Sequence, residues 1–143
     1  MSWNAGAVGW VAAYCFMAAA PVFAVEAEVS ASHGALTSEG SFYVTWTSTP
    51  DPVPLNEMFE LRFLVAPASD RAALVSGAVV TANAWMPVHN HGMSLQPEIE
   101  SRGDGSAIGR GFLLHMPGLW ELRVAVMVNG QMERATFAIE LEP

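Results

Sequence analysis

From about residue 42 onwards, hydrophobic side chains recur at every second position, which is the period of half-buried β-strands. Two such rows occur in the first half of the chain: Phe42, Val44 and Trp46, and then Phe59, Leu61, Phe63 and Val65. The segment from Pro50 to Pro54 between them contains three prolines, which lack the N–H groups that a central ladder requires. The pattern therefore predicts two strands joined by a loop.

The last third of the chain shows the most regular alternation. It covers residues 120–128 and 135–141 and is interrupted by Asn129-Gly130, a pair that tolerates the positive φ angles of a tight two-residue turn. This arrangement predicts a β-hairpin. The residues expected to be buried in it are Trp120, Val124, Phe137 and Ile139.

Less regular strands are predicted at about 78–86, 95–101 and 108–116, with Gly, Pro or Ser between them. About seven short strands and no long helix indicate an all-β protein, an immunoglobulin-like antiparallel β-sandwich, in one domain at 42–143. Residues 25–41 have mostly small or polar side chains without a regular period, and this pattern predicts a flexible lead-in.

The first 24 residues have a different character, because no charged residue occurs between Ala5 and Ala24. The sequence Val22-Phe23-Ala24 has the small-residue pattern that signal peptidase recognises, so residues 1–24 are predicted to be a signal peptide, with an uncleaved anchor as the alternative. The protein is then exported to the periplasm or the cell surface. Cleavage would remove Cys15, the single cysteine, and with it any disulfide, thiolate site or cysteine nucleophile.

The mature exported chain is expected to begin at Val25. An intact-mass measurement on the exported protein tests this, because cleavage after Ala24 removes the whole apolar segment. A mass that includes residues 1–24, together with fractionation in membranes, would instead indicate an anchor.

Charge narrows the range of partners. The chain has 14 acidic and 6 basic residues and a formal net charge of -8. A phosphate-binding surface would have to act against this field, so nucleic acid is not an expected partner.

The unusual residues are concentrated in two stretches, 85–93 and 114–118. In extended backbone, residues two apart project to the same side, so His89, His91 and Met93 could face one point. Imidazole and thioether together form a ligand set that favours copper, and particularly Cu(I), over hard cations. A copper site is therefore predicted here, and Trp85 could shield it from solvent.

Strand order brings the second stretch towards the first. If consecutive strands reverse direction, loop 87–94 and the strand end at His115-Met116 lie at the same end of the sandwich. The predicted metal ligands are thus His89, His91, Met93, His115, Met86 and Met116. For Met86 and Met116, which share their rows with Ala84 and Leu114, packing in the core is the competing interpretation.

Other chemistries find less support. Zinc could use the same histidines, but thioethers rarely serve zinc, and only Glu98, Glu100 or Asp104 could complete such a site. No paired carboxylates lie near His89, and Ser94 lacks the strand-turn-helix setting of a hydrolase nucleophile. The sequence therefore predicts a protein that is not an enzyme.

The chain resembles the YtkA-like and FixH-like group of small bacterial exported or membrane-anchored domains, which are similar in outline to CopC-type copper-binding sandwiches. The resemblance covers about residues 41–142 and rests on Met86-Pro87-x-His89-x-His91-Gly92-Met93 and on Met116-Pro117-Gly118-Leu119-Trp120. The chain departs from CopC in having no histidine directly after the predicted cleavage point. The resemblance implies an accessory domain for copper handling, whose partner would be a membrane-bound oxidase or a copper-transport protein.

Two functions follow as hypotheses. The first is a periplasmic or cell-surface copper-binding protein that uses the His/Met cluster. The alternative is a non-catalytic interaction or assembly module of a membrane complex that binds no metal.

Overall fold

The computed structural model describes Met1 and residues 33–143, and within them the chain is an immunoglobulin-like antiparallel β-sandwich. The predicted signal peptide lies, apart from Met1, outside the described residues. The described part contains nine strands: β1 His33–Leu36, β2 Phe42–Thr49, β3 Met58–Pro67, β4 Val79–Met86, β5 His91–Gly92, β6 Glu98–Ser101, β7 Ser106–Leu113, β8 Gly118–Val128 and β9 Gln131–Leu141. Among these residues no helix could cross a membrane.

The strands form two sheets that enclose one core. The first has the order β1-β2-β3-β7-β6 and the second the order β5-β4-β8-β9. Alternate residues of both sheets point inwards, and the largest fully buried side chains are Trp120, Phe63 and Phe112. The predicted rows on β2 and β3 are confirmed, since Val44, Trp46, Phe59, Leu61, Phe63 and Val65 are all buried, and Phe42, at the start of the first row, is half-buried against the core.

The predicted C-terminal hairpin is confirmed. Val128 pairs with Gln131, so Asn129 and Gly130 alone form the turn, with φ angles of 50° and 81°. Such angles are strained for most residues but accessible to asparagine and glycine, and the turn's twist matches that of the strands. The four predicted core residues of the hairpin, Trp120, Val124, Phe137 and Ile139, are buried.

Part of the predicted lead-in is a strand. His33–Leu36 pairs with β2, and the His33 ring stacks on Trp46 with centroids 4.2 Å apart and planes 18° apart. The prediction of a flexible segment through residue 41 is therefore wrong for these four residues. The sequence His-Gly-Ala-Leu has no regular alternation of polar and apolar residues that would indicate a strand, and an edge strand needs only backbone pairing on one side.

A buried carboxylate fixes the β1–β2 connection to β9. Glu133 accepts hydrogen bonds from the Thr37 hydroxyl and from the Ser41 amide, the latter at 3.3 Å. The hydrogen bonds from Ser41 and Thr37 lower the pKa of Glu133 below its ordinary value of 4.5. The charged form is therefore the one that stabilises this junction.

Replacing Glu133 by glutamine is expected to make the free energy of unfolding depend less on pH in the acidic range. Because the folded-state pKa of Glu133 lies below its unfolded value, its contribution is complete above the unfolded value and is lost as pH falls through the folded value. The difference in unfolding free energy between the parent and Glu133→Gln should therefore be largest near neutral pH and shrink on acidification. Urea titrations at several pH values measure it. Glu140→Gln on the same strand is the control, and equal slopes for the parent and Glu133→Gln would contradict the assignment.

Candidate metal centre

Three histidines meet at one end of the sandwich, where β4 and β7 finish and β8 begins. His91 lies on β5, His89 in the turn that precedes it, and His115 in the connection between β7 and β8. The predicted convergence of the two sequence stretches is therefore confirmed. We call these three side chains the histidine cluster.

A tight turn after β4 positions the first two histidines. The Asn90 amide donates to the Pro87 carbonyl at 3.2 Å, and Asn90 takes a positive φ of 54°. The chain then pairs back on β4, with His91 opposite Met86 and Gly92 opposite Trp85. The expectation of an extended backbone from His89 onwards is thus wrong, because the residues before His91 form a turn rather than a strand.

Register decides which side His91 faces. Residues directly opposite each other in an antiparallel pair share a face, and Met86 is buried inside the sandwich. His91 therefore projects from the inner face of its sheet, and it is half-buried at the end of the core.

The rings of His91 and His115 stack with centroids 5.3 Å apart and planes 26° apart. Both lie edge-on to the indole of Trp120, each 5.7 Å from it, at 74° and 69°. Trp120 is fully buried and donates its Nε1–H to the Met116 carbonyl at 2.9 Å. The buried indole is therefore held in place by this hydrogen bond and packs against both imidazoles.

Trp85 does not occupy the shielding position that its sequence neighbourhood suggests. It faces the opposite side of its sheet, where the Arg123 guanidinium lies over its ring at 5.2 Å. Trp120 is the tryptophan in contact with the imidazoles. The sequence could have indicated this contact. Trp120 lies two residues before Leu122 on β8, so both side chains point to the inner face, and Trp120 comes directly after the connection that carries His115.

The ring nitrogens of the two inner histidines differ in their surroundings. His91 Nδ1 lies 3.0 Å from the Gly92 carbonyl, and since a carbonyl can only accept, Nδ1 is the donor in this contact and Nε2 is the nitrogen left for a metal when the ring is neutral. His115 Nδ1 is buried and has no hydrogen-bond partner among the described residues. A buried nitrogen without a partner is unfavourable unless another group satisfies it.

The outermost histidine completes a stacked row. His89 is exposed, and its ring lies 6.0 Å from that of His91 with planes 29° apart. It makes no ring contact with Trp120 in the described residues. His89 therefore stands at the solvent mouth of the cluster, and His115 lies at its buried side.

The three predicted methionine ligands differ in burial. Met86 is buried opposite His91, and its terminal methyl group packs against Gly118. Met116 and Met93 are half-buried against the hydrophobic core. All three contribute to packing, and packing is compatible with a sulfur that also acts as a ligand.

The two segments that carry the cluster are poor in charge. Residues 85–97 and 111–120 contain no Asp, Glu, Lys or Arg, although the whole chain has a net charge of -8. Two of the carboxylates considered for zinc are engaged elsewhere, Glu100 with Arg110 at 3.1 Å and Asp104 with Ser106 at 2.6 Å. Within residues 33–143, no three His, Cys, Asp or Glu side chains are grouped so as to hold a metal ion.

No protein-family model, curated protein or solved structure matches the chain.

Proposed function

We propose that this protein is an exported copper-binding accessory protein that holds one Cu(I) ion at the histidine cluster without catalytic turnover. The observation that carries the proposal is the meeting of His91 and His115, from separate segments, over a buried indole. The buried Nδ1 of His115 supports it, because a metal ion would satisfy a nitrogen that no group within residues 33–143 satisfies.

Two imidazole nitrogens would form the core of the site, Nε2 of His91 and the unpartnered nitrogen of His115. The segments that carry these two histidines contain no Asp or Glu. A third ligand would therefore be a methionine sulfur, or a nitrogen of His89 once its ring has turned out of the stack. Thioether and imidazole donors select soft or borderline metals. The residues present therefore suit copper better than magnesium, calcium or manganese.

Charge favours the monovalent state of copper. A metal bound by neutral imidazole and thioether ligands keeps its full charge, and the cost of burying a charge rises steeply with its size. The uncharged segments around the cluster offer no carboxylate to offset a second positive charge. Cu(I) is therefore expected to bind more tightly than either Cu(II) or Zn(II).

A role in copper handling agrees with the exposed position of His89. The neighbouring Val88 is 79% exposed, so the mouth of the site is accessible to a protein partner. The resemblance to YtkA-like and FixH-like domains suggests a membrane-bound oxidase or a copper-transport protein as that partner, in the periplasm or at the cell surface. The alternative function is an assembly module in which this same uncharged end is a contact surface and no metal binds.

Metal selectivity tests the proposal. Competition with a Cu(I) chelator should give one ion per chain and a higher affinity for Cu(I) than for Zn(II). Met93→Leu keeps side-chain volume and removes only the sulfur, so it should weaken Cu(I) and leave Zn(II) nearly unchanged. Met132→Leu is the matched control, because Met132 lies near the start of β9 and is at the other end of the β8–β9 hairpin from Gly118.

Two results would contradict the proposal. A chain that takes up no Cu(I) from the chelator would favour the assembly module. A chain that binds Zn(II) more tightly than Cu(I) would indicate a different ligand set from the one proposed.

A further inference from the structure

A concave surface lies on the outer face of the β5-β4-β8-β9 sheet, opposite to the face from which His91 projects, and Met93 is part of its lining. It encloses about 680 Å³ and runs from Trp85 and the segment 92–97 across the sheet to Arg134. Trp85 faces it, whereas the next residue, Met86, faces the core. We call this surface the outer groove.

Two arginines give the outer groove a positive centre. Arg123 lies opposite Thr136, and Arg134 lies opposite Ala125, so the two arginines occupy diagonal positions on one face. Diagonal neighbours in a sheet are roughly 7–8 Å apart at their Cα atoms, within reach of one shared ligand. Ala125 lies directly opposite Arg134 and is the next residue after Arg123 on this face of β8. Its small side chain leaves the space beside the two arginines open.

The two guanidinium groups are held differently. Arg123 is bound by the Glu121 carboxylate at 2.7 Å and lies over the Trp85 ring. Arg134 has no acidic partner among the described residues. Two arginines and one glutamate leave a local charge of about +1, so the outer groove attracts an anion.

The rest of the lining is mixed in character. Trp85, Leu95, Pro97 and Ala125 provide hydrocarbon and aromatic surface beside the two arginines, and Thr81, Asn83, Gln96 and Thr136 provide polar groups. Ligand sites commonly combine such surface with a few polar groups that fix orientation, in volumes of roughly 300–1,000 Å³. An arginine fork also matches the two oxygens of a carboxylate.

We propose that the outer groove binds a small organic monocarboxylate with an apolar or aromatic body. The carboxylate lies between Arg134 and Arg123, and the body lies against Trp85 and the segment 92–97. Asn83 and Thr136, on the same face, supply further hydrogen-bonding groups. This inference does not depend on the copper proposal, because the outer groove and the histidine cluster lie on opposite faces of the sheet.

Benzoate is the probe for this site, with benzamide as its uncharged counterpart. Ligand-observed NMR and calorimetry on the metal-free protein should show saturable binding of benzoate, with benzamide bound at least about tenfold more weakly. Arg134→Gln and Arg123→Gln should each weaken benzoate by about tenfold or more. Arg110→Gln, an exposed arginine on the other sheet, should leave it unchanged.

Each of the contrary outcomes overturns the proposal. Equal binding of benzoate and benzamide would mean that the groove is only an apolar surface. Tighter binding of phosphate than of benzoate would mean a general oxyanion site. Unchanged affinity in both groove variants, or no saturable benzoate binding, would mean that the arginines do not form a carboxylate site.

Discussion

The variant with both His91 and His115 replaced by alanine is expected to lose Cu(I) binding entirely while keeping the fold. Loss of a single residue that hydrogen-bonds to a metal ligand already lowers metal affinity by about 10–100-fold, and this variant removes two of the proposed ligands themselves. His89→Ala should have a smaller effect, because its ring lies at the exposed mouth of the site and does not contact Trp120. Competition with a Cu(I) chelator measures all of these variants on one scale.

His33→Ala provides the matched control, since His33 is the remaining histidine and stacks on Trp46 away from the cluster. Its Cu(I) affinity should equal that of the parent. Circular dichroism establishes that each variant remains folded. If the double variant retains parental affinity, the copper ion binds elsewhere, and the assembly module becomes the better account of the histidine cluster.

Replacing Phe137 by alanine is expected to lower the free energy of unfolding by about 3–5 kcal/mol, the usual cost of deleting a buried aromatic side chain. Phe137 is 7% exposed and lies opposite Leu122 in the β8–β9 pair. Its ring contacts Trp46 edge to face, with centroids 6.2 Å apart, so the substitution also removes a contact between the two sheets. Urea denaturation of the metal-free protein measures the change.

Met132→Ala is the matched control on the same strand, because Met132 is 52% exposed. A surface change of this kind is expected to alter stability by less than about 0.5 kcal/mol. A loss below about 1 kcal/mol for Phe137→Ala would show that the packing between β9 and β2 contributes little to stability.

The fold was predictable because alternation is a local signal. A strand with one buried face must alternate, so the rows on β2, β3, β8 and β9 could be read from single segments. The Asn129-Gly130 turn could be read for the same reason, since its φ angles depend on those two residues. The edge strand β1 and the two-residue strand β5 could not, because their pairing depends on a neighbour distant in sequence and not on their own pattern.

The sequence by itself determined which residues could form a soft-metal site, because ligand chemistry belongs to the side chain. It also indicated that the stretches 85–93 and 114–118 meet, because strand direction alternates along the chain. Only the tertiary structure decided that Trp120 contacts the imidazoles of His91 and His115, that His115 Nδ1 has no partner within residues 33–143 and that Arg123 and Arg134 share one groove. The positions of Trp120, Arg123 and Arg134 depend on strand register, and a shift of one residue would turn these side chains to the other face.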